Sequence, residues 1–172
     1  MDPHALIKSV LASPKDAGTL KLIVLRLADK RRLMPPRAVI SAAGGVEGDR
    51  WSLKPGPDPS MQVSLINARF IEAAAGGPDR AGLSGDNLAV DLDISEGNLP
   101  AGTRLRVGAA VLEITGHPHK GCGLFERRYG KPARDLVDSA EGRALRLRGV
   151  YARVVTGGEV RLGDPVGKDR PL

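Results

Sequence analysis

The sequence predicts a mainly β protein with a few short helices, an α+β fold arranged as a barrel or sandwich of short strands and hairpins. Its 22 glycines and 13 prolines favour short strands and tight turns over long helices. Residues 103–115 have the pattern of a hairpin, because two alternating apolar–polar segments flank the dipeptide Gly108-Ala109. With 172 residues, the chain is expected to form one domain, 1–172, with a core at about 19–166, a short N-terminal leader and a C-terminal tail.

The predicted strands follow from apolar runs and period-two alternation. Asn67 is placed to cap a short helix that ends at residues 76–78, and Pro132 fits the first turn of a second helix. Residues 1–16 are expected to form a short strand or a partly ordered arm, and Gly157-Gly158 a tight turn that pairs the last two strands. The strands are predicted at residues 19–27, 37–41, 61–65, 88–92, 103–107, 110–115, 149–156 and 159–162.

Composition and patterning exclude several classes of protein. One cysteine cannot form an internal disulfide, which suits a reducing cytoplasm. The first residues lack the pattern of a secretory signal, and the longest apolar run, 20–27, is too short to span a bilayer. We therefore expect a cytoplasmic protein with no membrane partner.

Positive charge is concentrated in one part of the chain. The net charge is +6, and residues 120–153 alone hold nine basic and four acidic side chains. Such a segment favours an anionic partner, such as a phosphate-bearing cofactor or a small acid. Nucleic acid is an unlikely partner, because aromatic residues make up only 3% of the chain and base-stacking platforms are scarce. A solvated basic face is the alternative.

The densest chemistry lies in residues 115–123, which contain Cys122, His117, His119 and Lys120. They follow a predicted strand, so the thiol is expected on a loop at the end of that strand. Three interpretations of Cys122 remain open. It could be a small buried hydrophobe, a thiolate stabilised by neighbouring positive charge, or one ligand of a zinc site completed by the two histidines.

Two glycine loops share the form Gly-apolar-x-Gly-Asp-polar, at residues 45–50 and 82–87. Their glycines permit positive φ, so that backbone N–H groups can converge on a ligand. The loops present Asp49 with Arg50, and Gly85 and Asp86 with Asn87. The alternative is two similar β-turns whose aspartates accept hydrogen bonds from their own backbone.

The order of these segments resembles the MOSC domain, the C-terminal module of molybdenum-cofactor sulfurases. The resemblance covers about residues 19–166. It rests on these segments: 45–50 (Gly-Val-Glu-Gly-Asp-Arg), 62–65 (Gln-Val-Ser-Leu), 85–88 (Gly-Asp-Asn-Leu), 99–102 (Leu-Pro-Ala-Gly), 107–108, 112–114, Cys122, 148–152 (Arg-Gly-Val-Tyr-Ala) and 157–164 (Gly-Gly-Glu-Val-Arg-Leu-Gly-Asp).

The resemblance implies a barrel-like fold and a molybdenum cofactor (molybdopterin). It also makes Cys122 the catalytic residue, as a molybdenum ligand or as a carrier of sulfur in a persulfide. The reaction it implies is reduction of N-hydroxylated compounds; the alternative is a carrier or interaction module without turnover. Seven residues are expected to bind the cofactor: Asp49, Arg50, Gly85, Asp86, Asn87, His119 and Lys120. The last two would also tune the Cys122 thiol.

The sequence also departs from some members of that family. Stand-alone reductases often continue with a His-Gly-Gly-x-Asp-Lys type segment where residues 51–57 read Trp-Ser-Leu-Lys-Pro-Gly-Pro. The chain has neither an aminotransferase-like domain with a Schiff-base lysine nor an iron–sulfur module. Electrons or sulfur are therefore expected from a redox or sulfur-donor protein partner, and pyridoxal phosphate binding is a family-level association only.

Overall fold

The computed structural model describes residues 2–170. Its α-helices are short: α1 (Pro3–Leu11), α2 (Ala68–Ala75), α3 (Pro78–Ala81), α4 (Gly123–Tyr129), α5 (Lys131–Asp138) and α6 (Ala140–Ala144). The strands are β1 (Ala17–Ile23), β2 (Leu25–Arg26), β3 (Arg32–Leu33), β4 (Arg37–Ser41), β5 (Gly45–Val46), β6 (Val63–Asn67), β7 (Leu88–Asp91), β8 (Arg104–Val107), β9 (Ala110–Ile114), β10 (Val150–Thr156), β11 (Gly158–Arg161) and β12 (Pro165–Lys168).

Seven of the strands form a closed barrel, in the order β1-β12-β8-β9-β10-β6-β7, with β7 pairing back to β1. Neighbouring barrel strands are antiparallel except β6 and β7, which are parallel and are connected through α2 and α3. Parallel neighbours need such a crossover. The architecture is α+β and mainly β, as predicted.

The hairpin of β8 and β9 has the predicted register. Val107 lies opposite Ala110, which leaves Gly108 and Ala109 as the turn, and Gly108 has a positive φ of 54°. Leu105 is fully buried in the barrel, whereas the neighbouring arginine side chains of β8 are exposed. Alternate side chains of β8 therefore point to opposite faces of the barrel wall.

A second apolar cluster lies between the helices and the outer face of the barrel. Phe70 and Ile71 of α2 pack there with Phe125 of α4 and Val137 of α5. The predicted cap of α2 is confirmed, because the Asn67 side chain accepts the Phe70 backbone N–H at 3.1 Å. Because β6 contacts the barrel interior on one face and these helices on the other, all five of its residues are buried.

The prediction for the N-terminal segment was wrong, since residues 3–11 form α1. Asp2 caps this helix by accepting the His4 backbone N–H, and Pro3 occupies its first turn. Leu6 and Val10, four residues apart, are buried against the helices. Helices α3, α4 and α6 were not predicted either. The predicted C-terminal tail includes residues 167 and 168, which belong to β12, and residues 171 and 172, which lie outside the described part of the chain.

The predicted pairing of the last two strands was also wrong. Strand β11 pairs with β4, in a separate sheet with β5, and does not return along β10. Glycines 157 and 158 allow this change of direction, because a Cβ at Gly157 would lie 2.7 Å from the Ile40 carbonyl oxygen. A Cβ at Gly158 would lie 2.7 Å from the Ala109 backbone. The chain passes too close to its neighbours there for any larger residue.

Six segments converge outside one end of β6: the β2–β3 hairpin, the 3-10 helix that begins at Arg50, the turn before β7, the loop after β9, helix α4 and the start of β10. They surround a small cavity. No helix within residues 2–170 has the length and apolar character needed to cross a membrane.

Candidate functional site

The cavity at this convergence, called here the cysteine cavity, has a volume of about 150 Å³. Five arginines and Cys122 lie in its wall, together with one buried carboxylate. Its lining residues are Arg26, Arg32, Arg50, Ser64, Ser84, Gly85, Asp86, His119, Cys122, Leu124, Phe125, Arg128, Arg148 and Tyr151.

Asp49 holds Arg26 in the wall of this cavity. The Arg26 guanidinium donates to both carboxylate oxygens, from Nε at 3.0 Å and from Nη2 at 2.7 Å, and its backbone N–H donates as well. Burial opposes ionisation of both groups. The bidentate hydrogen bonds outweigh this effect, so the pKa of Asp49 lies below its usual value and that of Arg26 above. Asp49 also accepts the Trp51 backbone N–H, so its side chain is fully engaged within the protein.

Asp86 forms the second buried ion pair of the cavity. One of its oxygens accepts a hydrogen bond from Arg148 Nη1 at 2.8 Å, and the other lies 3.8 Å from His119 Nδ1, too far for a hydrogen bond. The Arg148 guanidinium lies 4.9 Å from the centroid of the Phe125 ring, a cation–π contact that helps to fix it.

His119 is a neutral wall of the cavity. Its ring stacks on Tyr151 with centroids 4.3 Å apart, and its side chain is only 9% exposed. Burial lowers the pKa of His119 to about 4; Asp86 opposes this shift, and the nearby arginines add to it. The imidazole therefore carries no charge near pH 7, and the positive potential of the cavity comes from its arginines.

Three of these arginines have no carboxylate partner within residues 2–170. The side chains of Arg32 and Arg128 donate only to backbone carbonyl oxygens, of Lys30 and Leu83, and the Arg50 side chain has no hydrogen-bond partner among the described residues. Burial lowers the pKa of Arg32, and so do the charges of Arg128, Arg50 and Arg26. Its buried Nε has no hydrogen-bond partner. Cationic groups held together in this way attract an anion.

Cys122 is exposed and lies directly before α4, at the edge of the cysteine cavity. The interpretation of this residue as a buried hydrophobe is therefore wrong. The zinc interpretation is not supported either. No group of three His, Cys, Asp or Glu side chains in the described chain is arranged to hold a metal ion. The Nδ1 atom of His117 instead lies 3.2 Å from the Ser60 hydroxyl oxygen, and its ring makes a T-shaped contact with the Tyr151 ring.

The structure separates the other predicted site residues into two groups. Arg50, Gly85, Asp86 and His119 line the cysteine cavity together with Cys122. Asp49, Asn87 and Lys120 do not. The buried Asn87 side chain accepts the Ser64 backbone N–H and donates to the Val24 carbonyl oxygen, and Lys120 faces a different cavity.

The two Gly-Asp loops share a backbone feature but differ in what their aspartates do. Gly48 and Gly85 both have positive φ, 87° and 80°, as the pattern predicts. Asp49 caps the 3-10 helix that follows it, as expected if the loop is a turn whose aspartate accepts a hydrogen bond from its own backbone. Asp86 accepts nothing from its own loop and pairs with Arg148 instead.

A comparison with protein-family models matches residues 59–167 to the MOSC domain. The chain belongs to the MOSC domain family. Solved structures agree with this assignment at the level of the fold. YuaD from Bacillus subtilis is 18% identical with a TM-score of 0.58, over 87% of this chain and 94% of that one. YiiM from Escherichia coli is 18% identical with a TM-score of 0.55, over 90% of this chain and 71% of that one. A comparison with curated proteins finds no match.

In this MOSC domain, most of the cavity arginines were not predicted as site residues. Arg128 and Arg148 lie in the basic segment, but nothing in their spacing separates them from the exposed arginines around them. Arg26 and Arg32 belong to a small hairpin of β2 and β3, and their approach to the cavity depends on the fold. Arg148 and Tyr151 both belong to the segment 148–152, which resembles the MOSC family, and this resemblance was the one indication that they have a role.

Proposed function

We propose that the cysteine cavity binds a molybdenum–pterin cofactor, molybdopterin, with the Cys122 thiolate as the protein ligand of molybdenum or as the carrier of a persulfide sulfur. The observation that carries this proposal is an exposed thiol beside three arginines that have no carboxylate partner in the described chain. A thiolate is a soft metal ligand and a good nucleophile, and guanidinium groups bind phosphate in two-pronged geometry. Membership in the MOSC family favours this cofactor over other anions.

The residues present fit such a group. A metal that arrives coordinated by its organic cofactor needs only one ligand from the protein, which agrees with a site containing a single thiol and no cluster of metal-binding side chains in residues 2–170. The buried, unpartnered Nε of Arg32 is a donor for an anionic oxygen. Pockets that enclose a whole ligand have volumes of about 300–1,000 Å³. The cysteine cavity, at about 150 Å³, therefore accommodates only part of a ligand, such as a phosphate or the reactive end.

Each side chain of the cavity has a distinct task in this proposal. Arg32, Arg50 and Arg128 would bind the anionic part of the cofactor. Arg26 and Arg148 are already held by Asp49 and Asp86, so they would present guanidinium groups in fixed positions with no rearrangement on binding.

When bound, the cofactor would supply a redox-active metal. The reaction that follows from the family is reduction of an N-hydroxylated compound, in which the N–O bond breaks, an electron pair and protons are consumed, and water leaves. An external donor would supply the electrons. The other residues of the cavity would bind and orient the cofactor and neutralise its negative charge. Cys122 is the only residue proposed to touch the reacting metal or sulfur.

The experiment is a determination of molybdenum, pterin and bound sulfur in protein made in a host that synthesises the cofactor. Wild type, Cys122→Ser, Arg50→Ala and the surface control Arg161→Ala are compared by elemental analysis, pterin fluorescence and intact mass. We expect cofactor or bound sulfur in the wild type and the control, loss of metal or sulfur in Cys122→Ser, and less pterin in Arg50→Ala. A wild type without molybdenum, pterin or bound sulfur would refute the proposal.

A carrier module is the second candidate, because the exposed Cys122 thiol is accessible to another protein. Turnover separates the two candidates. The reductase should convert a hydroxylamine to the amine with an artificial electron donor, in a reaction that Cys122→Ser abolishes. The carrier should give no turnover and should instead transfer its labelled sulfur to an acceptor thiol.

A further inference from the structure

A second cavity lies on the other side of the loop that follows β9, and it is about twice as large. Its volume is about 310 Å³, which is enough for a whole small molecule. One wall is the loop itself, including His117 and Lys120; the opposite wall comes from α6 and the segment after it, with Arg143 and Arg146. We call it the loop cavity.

Charge in the loop cavity is strongly unbalanced. Lys120, Arg143 and Arg146 form no salt bridge within residues 2–170, and Glu96 is the only carboxylate in the lining. Arg146 donates to the carbonyl oxygens of Leu99 and Ile94, which fixes the position of its guanidinium. Burial lowers the pKa of Arg146, and the charge of Glu96 opposes this shift.

Two buried side chains separate the loop cavity from the cysteine cavity. His119 and Arg148 line both, and their side chains are only 9% and 10% exposed. Arg148 Nε and His119 Nδ1 are buried without a hydrogen-bond partner. Unpartnered buried polar atoms of this kind are rare and mark positions where a further polar group can bind.

The lining also contains an apolar surface. Pro100 and Ala101 form one side, and Val137 and Val150 another. An inorganic ion would leave this surface exposed to water, whereas an organic anion could place its apolar body there and its charged group against the cations.

We propose that the loop cavity is a second anion site, which binds a small organic carboxylate or phosphate through Lys120, Arg143 and Arg146. It is separate from the cysteine cavity, and it does not depend on whether the cysteine cavity holds a molybdenum cofactor.

The test is titration of the purified protein with benzoate and with phenyl phosphate, followed by amide NMR shifts. Gly116 and Gly142 report on the loop cavity, and Gly85 and Gly123 on the cysteine cavity. We expect saturable shifts centred on Gly116 and Gly142 with at least one probe, and the better probe identifies the preferred anion. Benzyl alcohol, which is neutral and similar in size, should not bind.

The double variant Lys120→Ala/Arg143→Ala should bind the better probe about tenfold more weakly or worse, because two charge-assisted contacts are lost. Both side chains are exposed and have no ion-pair partner among the described residues, so the fold should survive the change. The matched double variant Lys54→Ala/Arg161→Ala removes the same charges elsewhere and should bind like the wild type. The charge-conserving Arg143→Lys should retain most of the affinity.

Three results would overturn the proposal. One is a shift pattern centred on Gly85 and Gly123, which would assign the anion to the cysteine cavity. Another is an unchanged affinity in Lys120→Ala/Arg143→Ala. The third is equal binding of benzyl alcohol, which would make the cavity a general apolar pocket. Loss of the cofactor from the cysteine cavity would leave all three readouts intact.

Discussion

Acidification from pH 6.5 to pH 4 should destabilise the protein, because the folded state keeps His119 neutral. Burial lowers the pKa of this imidazole from 6.5 to about 4. Above pH 6.5 the ring is neutral in both the folded and the unfolded chain. As the pH falls towards 4, the unfolded chain takes up a proton that the folded protein does not, so the free energy of unfolding decreases.

The size of this effect follows from the two pKa values. At about 1.36 kcal/mol per pH unit, the difference between 6.5 and about 4 corresponds to about 3 kcal/mol, reached once the pH is below 4. The side chain is only 9% exposed, so solvent screening removes little of this. Such a loss is a substantial part of the stability of a typical domain.

The assay is urea unfolding of wild type, His119→Gln and the surface control His4→Gln at several pH values from 7 to 4. His119→Gln should be less stable than wild type at pH 7, because it loses the stacking on Tyr151. Its further decrease down to pH 4 should be smaller than that of the wild type by about 3 kcal/mol. His4→Gln should retain the full pH dependence. Equal decreases in wild type and His119→Gln would refute the reasoning.

Two further predictions concern the support of the cysteine cavity, with chemical unfolding as the measurement. Asp86→Ala leaves the Arg148 guanidinium buried without its carboxylate and should lower the free energy of unfolding by about 3–5 kcal/mol. Asp29→Ala, which breaks an exposed ion pair, should change it little. Equal effects of the two substitutions would contradict the ion-pair account. Gly149→Ala should cost more than about 2 kcal/mol, because φ is +100° and a Cβ would lie 2.4 Å from a carbonyl oxygen. Gly97→Ala, in open space, should be tolerated, and a tolerant Gly149 would show that the backbone there can relax.

Local features of the fold could be predicted from the sequence, whereas its long-range pairing could not. The β8–β9 hairpin and the Asn67 cap depend on residues a few positions apart, and both were predicted correctly. The pairing of β11 with β4 joins strands about 120 residues apart. The two glycines before β11 predict a tight turn back along β10, but glycine is also required where one backbone passes close to another, which is the case here. The N-terminal helix was missed, although Leu6 and Val10 have helical spacing and Asp2 and Pro3 are a typical helix start.

The candidate site shows the same division. Cys122 and the turn at Gly85 stand out by residue type and local pattern, and the structure brings them to one cavity. The Arg148–Asp86 pair joins residues 62 apart, and the family segment that contains this arginine does not indicate its partner. Asp49 and Asp86 share a motif, yet one is engaged within its own loop and by Arg26 while the other faces the cavity. Only the fold around each loop decides between these roles.

The central claim, that Cys122 holds the metal of an anionic cofactor or its sulfur, is tested most directly by X-ray absorption at the molybdenum edge of the protein isolated with its cofactor. If Cys122 is the ligand, the number of sulfur neighbours should fall by one in Cys122→Ser, while Arg161→Ala gives the wild-type spectrum. If Cys122 carries sulfur, the persulfide should appear in the intact mass of the wild type and disappear in Cys122→Ser. An identical metal environment in both proteins, with no mass difference beyond the substitution itself, would contradict the account.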